Sequence, residues 1–183
     1  GIRPLVLGKK GSSIIICSET CALDTIGAKF VREVEPGEII SVTRKNNKIK
    51  IESKKMGKVK PKFDIFEFIY FARYDSMMLG KSVYEVRKNL GRMLAKQNKK
   101  LKVDMVIPVP ETAISVAMGY AEESGVPLEM GISKNRYINR TFIEPTQELR
   151  NEKVRLKLSP LASVIKGKKI AVIDDSIVRG TTS

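Results

Sequence analysis

The chain has 183 residues, 42% of them hydrophobic and 30% charged, which is enough for one substantial core, and no apolar segment is long enough to span a bilayer. Its start, Gly1-Ile2-Arg3-Pro4-Leu5-Val6, lacks a signal-peptide pattern, so a cytoplasmic protein is expected. The formal charge of +14 invites a nucleic-acid reading, but doublets such as Lys9-Lys10, Lys54-Lys55 and Lys99-Lys100 lack interleaved aromatics; a general attraction for polyphosphates is expected, without a specific nucleic-acid partner.

Residues 5–52 read as short strands separated by turns: Val6-Leu7, the turn Gly11-Ser12, 14–17, Phe30-Val31, the turn Pro36-Gly37, 39–42, the turn Asn46-Asn47, and 49–51. Cys17 and Cys21 are too few for a disulfide framework, and with no histidine in the chain both read as ordinary thiols. Residues 52–62, charged and containing glycine and proline, read as a linker or surface loop. An apolar and aromatic run follows at 65–71. Ser82-Val83-Tyr84-Glu85 fits a capping box that opens a helix, with Val86, Leu90, Met93 and Leu94 on its apolar face.

Residues 105–109 predict a buried strand, 112–123 a helix closed by Gly125, and 128–132 a further strand. Strand, helix and strand at these lengths imply parallel pairing. Residues 133–158 show no period and are rich in arginine, which suits a long functional loop. Leu158-Ser159-Pro160 would open a short helix before the last strand.

That last strand, Ile170-Ala171-Val172-Ile173, is a short β-branched run expected to be buried, and Asp174-Asp175 ends it. Small hydroxyl residues around Gly180 come next, the composition of a turn whose N–H groups close on an anion. A phosphorylated sugar needs acceptors for its hydroxyls and donors for its phosphate. The acidic pair offers the first and residues 176–183 the second, with Gly180 allowing close backbone approach.

Val172-Ile173-Asp174-Asp175-Ser176-Ile177-Val178-Arg179-Gly180-Thr181-Thr182-Ser183 resembles the phosphoribosyltransferase signature, and in particular that of the glutamine phosphoribosylpyrophosphate amidotransferases. The resemblance runs nearly end to end. Gly1-Ile2-Arg3-Pro4-Leu5, Ser18-Glu19-Thr20-Cys21-Ala22-Leu23-Asp24 and Phe30-Val31-Arg32-Glu33-Val34-Glu35-Pro36-Gly37-Glu38 are similar to the closing part of that family's glutaminase domain. Glu67-Phe68-Ile69-Tyr70-Phe71-Ala72-Arg73 and Val83-Tyr84-Glu85-Val86-Arg87-Lys88-Asn89-Leu90-Gly91 resemble the start of its phosphoribosyltransferase domain. Lys134-Asn135-Arg136-Tyr137 and Arg140-Thr141-Phe142-Ile143 resemble its mobile loop.

The resemblance implies an α/β fold with a phosphoribosyltransferase-type parallel sheet, incomplete at the C-terminus and preceded by the β-rich closing part of an N-terminal-nucleophile glutaminase domain. Residues 1–62 would be glutaminase-like domain plus linker, and 63–183 the phosphoribosyltransferase domain of an internal fragment. The family's glutaminase cysteine has no counterpart at Gly1, Cys17 or Cys21. The implied reaction transfers ammonia, released from glutamine, to phosphoribosyl pyrophosphate, giving phosphoribosylamine, glutamate and pyrophosphate in the first committed step of purine synthesis.

In that assignment Asp174 and Asp175 serve the ribose hydroxyls and Mg²⁺, with Thr112 a hydroxyl ligand near the metal. Ser176, Val178, Arg179, Gly180, Thr181, Thr182 and Ser183 would bind the 5′-phosphate. Lys134, Arg136 and Arg140 would assist departure of pyrophosphate as the loop closes. Some members carry an iron–sulfur cluster whose first cysteine falls at Asp64, so no cluster is expected here. The implied partners are phosphoribosyl pyrophosphate, glutamine or ammonia, purine nucleotides as feedback ligands and further copies of the full-length chain, with no membrane. The alternative is a phosphoribosyl pyrophosphate-binding module without catalysis, which turnover with ammonia in place of glutamine would separate from an enzyme.

Overall fold

The computed structural model describes residues 3–46, 48–137 and 156–177. The chain forms two compact units, Gly1–Tyr84 and Glu85–Ser183.

In the first unit, β1 (Val6–Lys10) is the centre of a three-stranded antiparallel sheet between β2 (Ser13–Cys17) and β3 (Lys29–Glu33). The turn joining β1 to β2 holds Gly11 at φ 55°, a left-handed conformation that favours glycine. Helix α1 (Thr20–Thr25) sets Leu23 against β1, and Val6, Leu23 and Ala28 form a small core with Ile15 and Cys17 packed on it. Cys17 is half-buried and Cys21 buried, both as free thiols, with burial the main cause that raises the Cys17 pKa.

Strands β4 (Glu38–Lys45) and β5 (Lys48–Lys55) make a hairpin in full register from Glu38↔Lys55 to Lys45↔Lys48. The first four residues of the predicted linker, 52–55, are therefore strand. Their backbone completes the ladder while their side chains stay exposed, which a reading of charge alone could not foresee. Arg32 clamps the base of this hairpin, donating to both Glu38 carboxylate oxygens at 2.9 and 2.6 Å, and Ser53 donates to the same carboxylate.

The aromatic run forms a π-helical turn, Glu67–Phe71, followed by the short strands β6 (Met77–Met78) and β7 (Lys81–Ser82). Polar side chains just before β1 and at the start of α1 hold this segment. Arg3 bonds Glu67 at 2.8 Å and lies 4.1 Å over the Phe71 ring. Glu19 accepts from the Arg73 N–H at 2.7 Å and from the Ser76 hydroxyl at 2.8 Å, and Thr20 Oγ1 accepts from the Met77 N–H at 2.7 Å.

The second unit is built on parallel pairing. Strand β11 (Ile170–Ile173) runs beside β8 (Met105–Pro108) from Ile170↔Met105 to Ile173↔Pro108, and Leu128 makes a parallel bridge to Val106. Helix α3 (Ile114–Ser124), closed by Gly125 at φ 71°, packs Ala113, Ala117 and Tyr120 into a core with Val106, Ala171 and Ile173. Three sequence expectations are corrected here. Residues 128–132 supply one bridge, and the strand β9 (Ile132–Lys134) starts where they end. Leu158–Pro160 is not a helix opening but strand β10, paired antiparallel with β9, and helix α4 (Ala162–Ile165) begins after it. Val172 is 44% exposed, so β11 buries one face rather than two.

Helix α2 (Val83–Gln97) corrects a fourth. Val83, Arg87, Gly91 and Ala95 are its buried stripe, whereas Leu90, Met93 and Leu94 are exposed. Hydrophobicity does not select the stripe, which includes Arg87, and at Gly91 small size does. A Cβ on Gly91 would lie 1.9 Å from the Val116 carbonyl oxygen, and one on Gly119 would lie 1.9 Å from that of Lys88, so α2 and α3 cross backbone to backbone. Among the described residues, no helix is long and apolar enough to cross a membrane.

Two predictions follow from these contacts. Gly91→Ala gains about 1 kcal/mol of helix propensity but must push a backbone carbonyl aside at a cost of about 1–3 kcal/mol, so chemical denaturation is expected to show a net loss of stability. Glu38, held by Arg32 at a pKa of about 2, is depressed below the ordinary value of about 4.3. Its stabilising contribution is complete above the ordinary value and is lost as the pH falls through about 2. The melting-temperature gap between wild type and Glu38→Gln should therefore be widest near neutrality and close progressively in acid.

Candidate active site

Because β8 and β11 are parallel neighbours, the loops that leave their C-terminal ends meet at one edge of the sheet, where open α/β sheets bind ligands. The Val109 N–H donates to the Ile173 carbonyl at 2.8 Å and carries the pairing one residue past β8. The next turn contains a cis peptide between Pro110 and Glu111 and ends in Thr112. The Thr112 hydroxyl donates to Asp175 Oδ2, so one hydrogen bond closes the gap between the two loops.

Around it the acidic pair is ordered by its own neighbours. Ser176 Oγ donates to Asp175 Oδ1 at 2.7 Å, and the Asp175 N–H donates to Asp174 Oδ1 at 2.8 Å. Both carboxylates are half-buried. Burial raises the Asp174 pKa, the Asp175 N–H opposes that shift, and the neighbouring Asp175 charge adds to it. A cation seated beside Asp174 would relieve the cost of keeping it ionised.

Of the residues singled out in the sequence, Thr112, Asp174, Asp175 and Ser176 are thus joined by hydrogen bonds. Lys134, at the end of β9, has its Nζ 3.6 Å from Glu111 Oε2, which links it to the residue preceding Thr112. Arg136 is exposed in the turn after β9, and no described contact joins it to the acidic pair. Arg140, Val178, Arg179, Gly180, Thr181, Thr182 and Ser183 lie outside the described residues. Glu111 is the site residue that sequence reading passed over. Its place directly before Thr112 was the available signal, but nothing in the sequence showed that the turn would face β9.

The donor set can be tested against Mg²⁺. Two carboxylates and a hydroxyl are hard oxygen ligands of the kind Mg²⁺ takes, and they would leave ligand positions for water and phosphate. Among the described residues, no group of three or more His, Cys, Asp or Glu side chains is gathered for a metal, so this donor set rests on two carboxylates and a hydroxyl. Thr112, Asp174 and Asp175 fit Mg²⁺.

No family model matches the chain. The amidophosphoribosyltransferase of Rhizobium etli is 51% identical over 185 residues, an alignment covering 100% of this chain and 37% of the relative. The amidophosphoribosyltransferase of Bacillus subtilis is 47% identical over 183 residues, covering 100% of this chain and 38% of the relative. Along its whole length the chain is similar to part of the amidophosphoribosyltransferases. Among solved structures, the Bacillus subtilis glutamine phosphoribosylpyrophosphate amidotransferase complexed with ADP and GMP superposes with a TM-score of 0.83 at 45% identity, covering 100% of this chain and 39% of that one. A structure described as the allosteric regulatory enzyme of purine biosynthesis gives the same TM-score of 0.83 and covers 38% of its chain. The mixed α/β fold is that of the amidophosphoribosyltransferases, and the chain spans well under half the length of these relatives.

The loop-closing bond gives a direct test. Thr112→Val keeps the β-branched shape but removes the donor to Asp175, and is expected to cost about 1 kcal/mol in urea denaturation, with Thr112→Ser restoring most of it.

Proposed function

We propose that this chain supplies the phosphoribosyl pyrophosphate site of an amidophosphoribosyltransferase, which forms 5-phosphoribosylamine, glutamate and pyrophosphate from glutamine and phosphoribosyl pyrophosphate in the first committed step of purine synthesis. The observation that carries the reading is the Thr112–Asp175 bond, which joins a hydroxyl and a carboxylate at the ends of adjacent parallel strands, with the Asp174 carboxylate next to it in the chain. In this reading residues 1–62 are the closing part of the glutaminase domain with its linker, and residues 63–183 belong to the phosphoribosyltransferase domain.

The chemistry divides among the side chains. Asp174 and Asp175 accept hydrogen bonds from the ribose hydroxyls, and their negative charge favours the positive charge that develops on the sugar ring as the bond from C1 to pyrophosphate breaks. Ammonia attacks C1 while the bonding electron pair leaves with pyrophosphate. Asp174, Asp175 and Thr112 would hold Mg²⁺, which when bound would supply charge neutralisation for pyrophosphate. Lys134, Arg136 and Arg140 add cations on the loop side, and Ser176, Val178, Arg179, Gly180, Thr181, Thr182 and Ser183 take the 5′-phosphate through N–H and hydroxyl donors. The ADP and GMP of the Bacillus subtilis structure support purine nucleotides as ligands here; a homo-oligomer of the full-length chain is part of the same proposal.

Asp174→Asn combined with Asp175→Asn tests the site. Ammonia-dependent formation of phosphoribosylamine by the full-length protein is expected to fall about 100-fold or more, with weakened binding of phosphoribosyl pyrophosphate in the presence of Mg²⁺. Unchanged affinity in the double variant would refute the assignment.

A further inference from the structure

We propose that Glu111 is a built-in competitor for Lys134, a carboxylate that occupies this cation until a ligand phosphate displaces it and so lowers the affinity of the site for pyrophosphate-bearing ligands. The inference rests on the phosphoribosyl pyrophosphate reading above and concerns how that site is tuned.

Three observations carry it. The Lys134–Glu111 contact is 3.6 Å, longer than the roughly 2.7–2.9 Å of a charge-assisted hydrogen bond, so the pair is held by charge without a fixed geometry and is readily exchanged. The two partners are unequally placed, with the Glu111 side chain 60% exposed and that of Lys134 29% exposed, so the carboxylate can swing into water while the ammonium stays. Glu111 also immediately precedes Thr112, whose hydroxyl reaches Asp175, so a single turn carries both the competing anion and a partner of the acidic pair. A phosphate group, with more charge and more acceptor oxygens than a carboxylate, displaces Glu111, whereas a singly charged anion competes with it on near-equal terms.

The test is calorimetric titration of inorganic pyrophosphate into the full-length protein. At about 50 mM salt, Glu111→Gln is expected to bind roughly two- to fivefold more tightly than wild type, the value of an exposed ion pair, and the gain should shrink as salt screens the charges. Glu111→Asp, which keeps the charge, should stay near wild type. In a Lys134→Ala background the same Glu111→Gln change should give no gain. Unchanged or weaker binding in Glu111→Gln, or a gain that persists without Lys134, overturns the proposal. A wild type that binds no pyrophosphate would bring down the phosphoribosyl pyrophosphate reading along with it, a result distinct from a wild type that binds and a Glu111→Gln variant that does not differ.

Discussion

Side-by-side alignment of β8 and β11 in the same direction governs what the second unit can do. Parallel strands deliver their outgoing loops to a common edge, and here those loops carry Thr112 on one side and Asp174-Asp175 on the other. The strands themselves are held from beneath by Ala113, Ala117 and Tyr120 of α3, which bury Val106, Ala171 and Ile173. Shifting β11 by one residue against β8 would turn its buried positions outward and carry Asp175 away from the Thr112 hydroxyl, so core and site share one register.

The first unit uses a different economy. Its sheet buries little, and much of what organises it is polar: Glu19 receives a backbone N–H and a hydroxyl from the segment after the π-helical turn, Thr20 receives another N–H, and Arg32 grips Glu38 with two bonds. Glu19 and Thr20 belong to the motif that resembles the glutaminase domain, and the hydrogen bonds give those residue types a physical task. An alanine at either position would take from a backbone N–H the side-chain acceptor it has here.

How much of this was legible beforehand depended on the kind of signal. Apolar β-branched runs bounded by turns located β1, β2, β8 and β11, and Gly125 marked the end of α3, because those features act locally. The acidic pair and Thr112 were found through a motif. The failures came where the deciding partner was distant in sequence. On α2, the hydrophobic pattern favoured Leu90, Met93 and Leu94, but the buried positions were chosen by the proximity of α3, which only Gly91 could admit. Leu158–Pro160 looked like a helix opening because its strand partner, β9, lies more than twenty residues earlier. Glu111 was flagged only by its place before Thr112, since its partner Lys134 is brought near by the fold.

The crossing of α2 and α3 has a genetic consequence. Each glycine at that crossing faces the other helix's main chain, Gly91 against Val116 and Tyr120, and Gly119 against Lys88. A bulkier residue at one position therefore cannot be rescued by trimming a side chain opposite, because there is none to trim. A suppressor screen started from a damaged crossing should return the original glycine or distant global stabilisers, and no compensating pair at the contact itself.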